Sequence, residues 1–360
     1  MKYIFILFIT CIITCSSVTA QHLKPGFDKE EYIGLMKVSA QFGDSGYGRS
    51  MPPPPEYKFL YRSPIVGLHN CWDLYINKNG VAVISIRGTT ADKTSWLANF
   101  YAAMVPAKGT LTLSKTNNFD YELADNPRAA VHIGWLVSTA FLSKTILPKI
   151  DSLYKKGTKE IIIMGHSQGG AIAYLLTAYL YHLQKNKTLP TDIRFKTYCS
   201  AGPKPGNLYF AYDYESITQG GWAYNVVNAA DWVPEAPFSI QTLDDFNNIN
   251  PFKHAVPSIK KVKWPARWAL RYAYGRMNTP NKKTMRNYRK YLGKFLSKQV
   301  KQQIKEYNAP AYSNTMNYVR TGAFIILKPD EDYYKKFPQL ESSIFVNHFH
   351  QPYLYLVEKL

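Results

Sequence analysis

An apolar, β-branched run, Glu160-Ile161-Ile162-Ile163-Met164, enters Gly165-His166-Ser167-Gln168-Gly169 with no spacer and leaves as the helix-forming Gly170-Ala171-Ile172-Ala173-Tyr174-Leu175-Leu176. A chain that turns from strand to helix within five residues is committed to an α/β arrangement, and Gly-x-Ser-x-Gly in that context has the form of a nucleophile elbow. Side chains at 165 and 169 would clash with the neighbouring strand and helix, so glycine is needed at both positions. Ser167 is then held exposed at the strand's carboxyl end. The backbone N–H of Gln168 and the helix N-terminus are available to a developing oxyanion. The plainer alternative is a structural Gly-rich turn.

The flanking sequence supports the same class. Leu68 to Ile76 and Val81 to Arg87 read as strands joined by a turn ending in Asn79-Gly80, a hairpin signal. Beyond them the pattern predicts helix over about 134–155, strand over 160–165, helix over 169–184, and strands over 194–200 and 224–228. Alternation of this kind implies a mostly parallel central sheet flanked by helices, with an antiparallel lead-in. Asp28 and Glu31 form a capping-box pattern ahead of a helix over about 28–41. With 46% hydrophobic, 15% aromatic and 19% charged residues in 360, the chain is neither a disordered polyelectrolyte nor a collagen-like or coiled-coil sequence.

The net charge of +19 is localised. Phe246 to Lys305 holds sixteen Lys or Arg and no acid, leaving 28 basic against 25 acidic residues elsewhere. This segment reads as helical, with Thr279 as N-cap and Pro280 at the first helical position. Met285, Tyr288, Leu292, Leu296, Val300 and Ile304 recur at three- and four-residue intervals, and basic residues fill the other faces. A basic helical insertion at about 246–310 is therefore expected within a single unit spanning 21–360. Residues 1–20, with Lys2, an apolar run and Val18-Thr19-Ala20, read as a secretory signal, predicting export. Cys15 loosely resembles a lipoprotein processing site, which would anchor the exported chain. Cys71 and Cys199 remain, and two separate buried thiols are the favoured reading over a disulfide.

A serine hydroxyl needs a histidine base and an orienting carboxylate to act as a nucleophile. Strand 224–228 runs into Ala229-Ala230-Asp231, which puts Asp231 at a carboxyl edge, where catalytic groups gather in open α/β sheets. His254, His348 and His350 all follow it. His254 lies in the cationic segment, where a surface role is favoured, and residue chemistry alone barely separates His348 from His350. No metal-ligand cluster or phosphate-binding loop is visible, so no cofactor is implied.

Several separated motifs resemble the class 3 lipases, the family of the fungal triacylglycerol lipases, within the α/β-hydrolase fold. Ile86-Arg87-Gly88-Thr89 is similar to the family's Arg-Gly-Ser/Thr strand end, which implies that Thr89 supplies the second oxyanion N–H beside Gln168. Val131-His132-Ile133-Gly134-Trp135 is similar to its His-x-Gly-Phe element, with His132 structural. Cys199 to Asn207 resembles the Gly-Ser-Pro-Arg-Val-Gly-Asn turn, and Asn228 to Pro234 the acid motif. His350-Gln351-Pro352-Tyr353 resembles the closing His-x-x-Tyr and so selects His350 as base. The likeness covers roughly 65–235 and 345–355. It implies a secreted serine hydrolase cleaving lipid esters, either a triacylglycerol lipase or phospholipase-like, through Ser167, His350 and Asp231.

By the same likeness the stretch after Thr89, with Trp96, Leu97, Phe100, Tyr101 and Met104, would form a lid; the alternative is an ordinary surface helix. The cationic insertion and the N-terminal stretch are departures from the family. Aromatics interleaved with Lys and Arg between 253 and 305 suit peripheral contact with an anionic membrane surface. Charge alone would also suit nucleic acid, but an exported hydrolase does not call for it. An esterase on soluble or polysaccharide-linked acyl groups and a catalytically silent surface-binding protein of the same fold are the rival readings.

Overall fold

The computed structural model describes residues 22–43 and 51–360. The signal and Cys15 expectations lie outside the described residues. Helix α1 (Lys29–Ser39) opens the fold and is followed by strands β1 (Tyr57–Arg62), β2 (Trp72–Asn77) and β3 (Ala82–Ile86). Helix α2 (Lys93–Phe100) precedes β4 (Met104–Pro106), β5 (Lys108–Ser114), β6 (Asn117–Glu122) and β7 (Ala130–His132). The alternating region comprises α3 (Ile133–Lys155), β8 (Glu160–His166), α4 (Gln168–Lys185), β9 (Arg194–Ser200), β10 (Gly206–Asn207), α5 (Leu208–Thr218) and β11 (Ala223–Asn228). The cationic region forms α6 (Ala255–Lys260), α7 (Ala266–Tyr288) and α8 (Leu296–Gln303), and the chain closes with β12 (Tyr318–Val319), β13 (Ala323–Leu327), α9 (Glu331–Lys336) and α10 (His350–Val357).

A seven-stranded sheet in the order β1-β2-β3-β8-β9-β11-β13 is the spine. The β1/β2 and β2/β3 pairs are antiparallel, and every pair from β3/β8 to β11/β13 is parallel. This is the expected mostly parallel sheet with an antiparallel lead-in. Because the central strand β8 is covered on both faces, its middle is continuously apolar rather than alternating: Ile161, Ile162, Ile163 and Met164 are all fully buried. One core cluster unites β2, β3 and β8 with α3 and α4, and a second lies between the sheet and α1 and α10.

Two local expectations change. The Asp28 cap holds, its side chain accepting from the Glu31 N–H at 2.9 Å, but Glu31 does not close a capping box. Its carboxylate instead meets the buried Lys196 Nζ and Tyr198 OH, each at 2.6 Å, since satisfying a buried ammonium outweighs capping one amide. Thr279-Pro280 does not start a helix. α7 runs from Ala266 through Pro280, and a π-helical stretch, Arg289–Phe295, joins it to α8. Pro280 removes only its own N–H from the ladder, and on an exposed helix the freed carbonyl can be met by water. Cys71 and Cys199 are separate buried thiols, as favoured. Among the described residues no helix is long and apolar enough to cross a membrane.

Candidate active site

The carboxyl ends of three parallel strands converge. β8 delivers Ser167, which as residue N-terminal to α4 has φ 61° and ψ −129°, a conformation a side chain-bearing residue adopts only under strain. The two glycines of the elbow permit it. A Cβ on Gly165 would lie 2.1 Å from the Gly169 carbonyl oxygen, and one on Gly169 would lie 2.2 Å from that of Ile86. The end of β3 brings Gly88 and Thr89 beside the elbow, and β11 brings Asp231, which is 3% exposed.

Asp231 receives three donors. His348 Nδ1 donates to Oδ2 at 2.7 Å, Tyr353 OH donates to the same oxygen at 2.8 Å, and the Val233 N–H donates to Oδ1 at 3.0 Å. The Asp231 partner is thus His348 and not His350, which corrects the expectation drawn from the closing His-x-x-Tyr. His350 is the first residue of α10, where the chain turns inward, and its Nε2 instead meets Ser39 Oγ of α1 at 3.2 Å. Burial first, then the neighbouring His348, lowers its pKa to about 4. Tyr353, the other end of the motif, does reach the carboxylate. The loop bearing His348 is anchored by Asn228 Nδ2 on the Asn347 carbonyl at 2.9 Å and by Trp232 Nε1 on that of Ile344 at 2.8 Å.

Ser167, His348, Gln168 and Thr89 all line one cavity of about 480 Å³. Its walls are aromatic and come from separate parts of the chain: Trp96 and Phe100 of α2, Trp232 and Phe238 after Asp231, and Phe345 before His348. The end of α1 contributes Ser39, Ala40 and Phe42, and the cationic segment contributes Tyr288 and Leu292. The cationic segment leaves the carboxyl edge after Asp231 and returns before His350, which places it on this side, whereas the α1 wall was not legible in the sequence because it lies far from any motif.

The stretch after Thr89 is helical, with Trp96 and Phe100 stacked at 5.9 Å beside the cavity. Tyr101 and Met104 are core residues rather than lid residues, at 0% and 1% exposure. Helix α2 is tied down from behind. Asn99 Oδ1 accepts from Gln168 Nε2 at 2.8 Å and from Trp135 Nε1 at 3.1 Å, while Asn99 Nδ2 donates to Thr89 Oγ1 at 2.9 Å. His132 has the structural place foreseen for it: Nε2 donates to the Asn99 carbonyl at 3.1 Å and the ring stacks on Trp135. Burial lowers the His132 pKa to about 3. Elsewhere Glu122, Asp125 and His182 approach one another. Lys185 already lies against Asp125 and Lys108 against Glu122, so ammonium groups answer both carboxylates.

A parallel sheet with a strained serine between the end of a central strand and the next helix, and a His–Asp pair at the same edge, defines the α/β-hydrolase fold. Residues 83–241 match the model of the family described as Lipase (class 3). That segment runs from β3 through the elbow to the residues after Asp231. The secreted mono- and diacylglycerol lipase 1 of Fusarium solani is 28% identical over 181 residues, covering 48% of this chain and 50% of that protein. The chain thus spans about half the length of this relative. Among solved structures, Lip2 lipase from Yarrowia lipolytica overlaps with a TM-score of 0.44 at 19% identity, covering 61% of this chain and 78% of that one. The lipase from Rhizopus microsporus var. chinensis overlaps with a TM-score of 0.41 at 22% identity, covering 58% and 69%.

Proposed function

We propose that this protein is an exported hydrolase of lipid carboxylic esters. The observation that carries the reading is the meeting of Ser167, at its strained elbow, with the Asp231–His348 pair in one aromatic-walled cavity. In this reading Ser167 Oγ attacks the ester carbonyl while His348 Nε2 takes its proton. His348 then returns the proton to the leaving alcohol, and water hydrolyses the acyl-enzyme in the same way. Asp231 holds the imidazole with its proton on Nδ1 and stabilises the imidazolium. The amides of Thr89 and Gln168 would receive the oxyanion, where one donor is worth about 3 kcal/mol. The apolar walls favour an acyl chain, and the relative's name makes mono- and diacylglycerols the first substrates to try. Residues 1–20 as a removed signal and 21–360 as one unit belong to the same proposal.

A substrate panel tests it. Purified protein should cleave emulsified acylglycerols and long-chain p-nitrophenyl esters, and Ser167→Ala should abolish both cleavage and labelling by an active-serine phosphonate. Cleavage confined to dissolved short-chain esters would favour the esterase reading. Absence of labelling in the wild type would favour a silent surface-binding protein, and hydrolysis of phospholipid would extend the activity to phospholipase.

We further infer that the cationic segment, residues 253–305, contacts an anionic membrane surface. Helix α7 and its approach expose Trp264, Trp268, Tyr272 and Met277, each more than half accessible, among Lys and Arg side chains. The far end of the same segment reaches the cavity through Tyr288 and Leu292. Each Lys or Arg near such a surface adds on the order of 1 kcal/mol at low salt. Sedimentation with phosphatidylglycerol-containing vesicles should exceed that with phosphatidylcholine alone, fall as salt rises, and weaken in Trp264→Ser/Trp268→Ser. Equal, salt-independent binding to both vesicle types would remove electrostatic docking.

A further inference from the structure

His166 occupies a variable position of Gly-x-Ser-x-Gly, yet its ring is the hub of a buried network beneath the site. Nε2 lies 2.7 Å from the His348 backbone carbonyl, an oxygen that can only accept, so Nε2 carries the proton. Nδ1 is then an acceptor and takes the Ser200 hydroxyl proton at 2.9 Å, which leaves Ser200 Oγ to accept from Tyr32 OH at 2.7 Å. The His350 ring packs on the other side, 4.4 Å between centroids. Ser200 Oγ also lies 3.2 Å from Met36 Sδ of α1, and the His166 ring is held between β9, the loop before α10 and α10 itself.

We propose that His166 is a positioning residue that sets the main chain of the base in register with the nucleophile. The proposal rests on the reading of Ser167 as nucleophile and His348 as base. Asp231 orients the His348 ring, and the main chain of the loop before α10 is held by other groups. Asn228 and Trp232 hold that loop at Asn347 and Ile344, on the acid's strand and the turn after it. His166 alone among these anchors is bonded covalently to Ser167, so its hydrogen bond is the shortest mechanical link between the two reacting side chains. A base displaced by about 1 Å can lose about 100-fold in rate without altering substrate binding.

The test compares His166→Leu, His166→Gln and His166→Asn on dissolved p-nitrophenyl butyrate. Gln places an amide N–H near the Nε2 position and Asn does not reach it. Expected are kcat losses of about 100-fold for Leu and Asn with KM unchanged, and recovery to within about tenfold of wild type for Gln. Phosphonate labelling, which also needs the base, should slow in parallel. If Leu does not fold, the Gln and Asn pair decides: equal kcat values, or a loss shown in KM rather than kcat, overturn the proposal. Full kcat in folded His166→Leu beside an inactive His348→Ala removes this inference alone. Full activity in His348→Ala removes the base assignment and the inference with it.

Discussion

Replacing His348 by Ala is expected to lower kcat on a dissolved ester by about 10⁴-fold or more, the scale of losing a triad histidine, while His350→Asn stays within about tenfold of wild type. The two residues stand two apart, yet only His348 donates Nδ1 to Asp231 Oδ2, at 2.7 Å. His350 is turned to Ser39, and its pKa of about 4 would make it a weak proton acceptor at neutral pH. Its replacement should appear instead as a lower melting temperature, since a buried ring that packs on His166 is lost. Measuring kcat together with thermal unfolding for both variants separates the roles. Inactivity of a folded His350→Asn beside an active His348→Ala would return the base to His350.

Acid should destabilise the fold well before its carboxylates titrate. His132, with a pKa of about 3, His350, about 4, and His166, well below the usual value, are all neutral in the folded chain because burial opposes their charge. In the unfolded chain each titrates near 6.5. The unfolded state therefore binds more protons below that value, and stability present above about pH 6.5 is lost as the pH falls toward the folded values. At pH 5 His132 and His350 each contribute about 2 kcal/mol of loss relative to pH 8, and His166 adds to it in the same direction. The surface carboxylates with lowered pKa, Asp92, Asp125, Asp192 and Asp330 among them, lose their contribution only below about pH 4, so the window between 6.5 and 5 belongs to the histidines. Urea midpoints from pH 8 to pH 5 measure it. A flat profile would mean that the folded chain accepts these protons, and His350→Asn should show a shallower slope than wild type.

The elbow was legible because its signal is local. Three β-branched residues, two glycines at fixed spacing and a helix-forming run occupy adjacent positions, and β8 and α4 follow from them with ends within a residue or so of expectation. The same holds for β9 and for Asp231 at the end of β11. The Thr279-Pro280 cap signal failed because a local preference of about 1 kcal/mol does not end a helix whose remaining turns are continuous. Tyr101 and Met104 were read as lid residues because an apolar side chain looks the same in sequence whether it faces a cavity or the core.

Sequence alone determined what contiguous residues can settle: the strand-to-helix turn at Ser167, the parallel alternation, the carboxyl-edge aspartate and the confinement of the charge to one segment. Tertiary structure alone decided which of two histidines faces Asp231. It also decided that His166 grips the main chain of His348, and that α1 supplies a wall to the cavity. These depend on contacts between residues more than a hundred positions apart, such as His348 with Asp231 and His166, and no periodicity in either partner encodes the other. A hydrogen bond between distant residues is set by how whole elements pack, and that packing exists only once the sheet has formed.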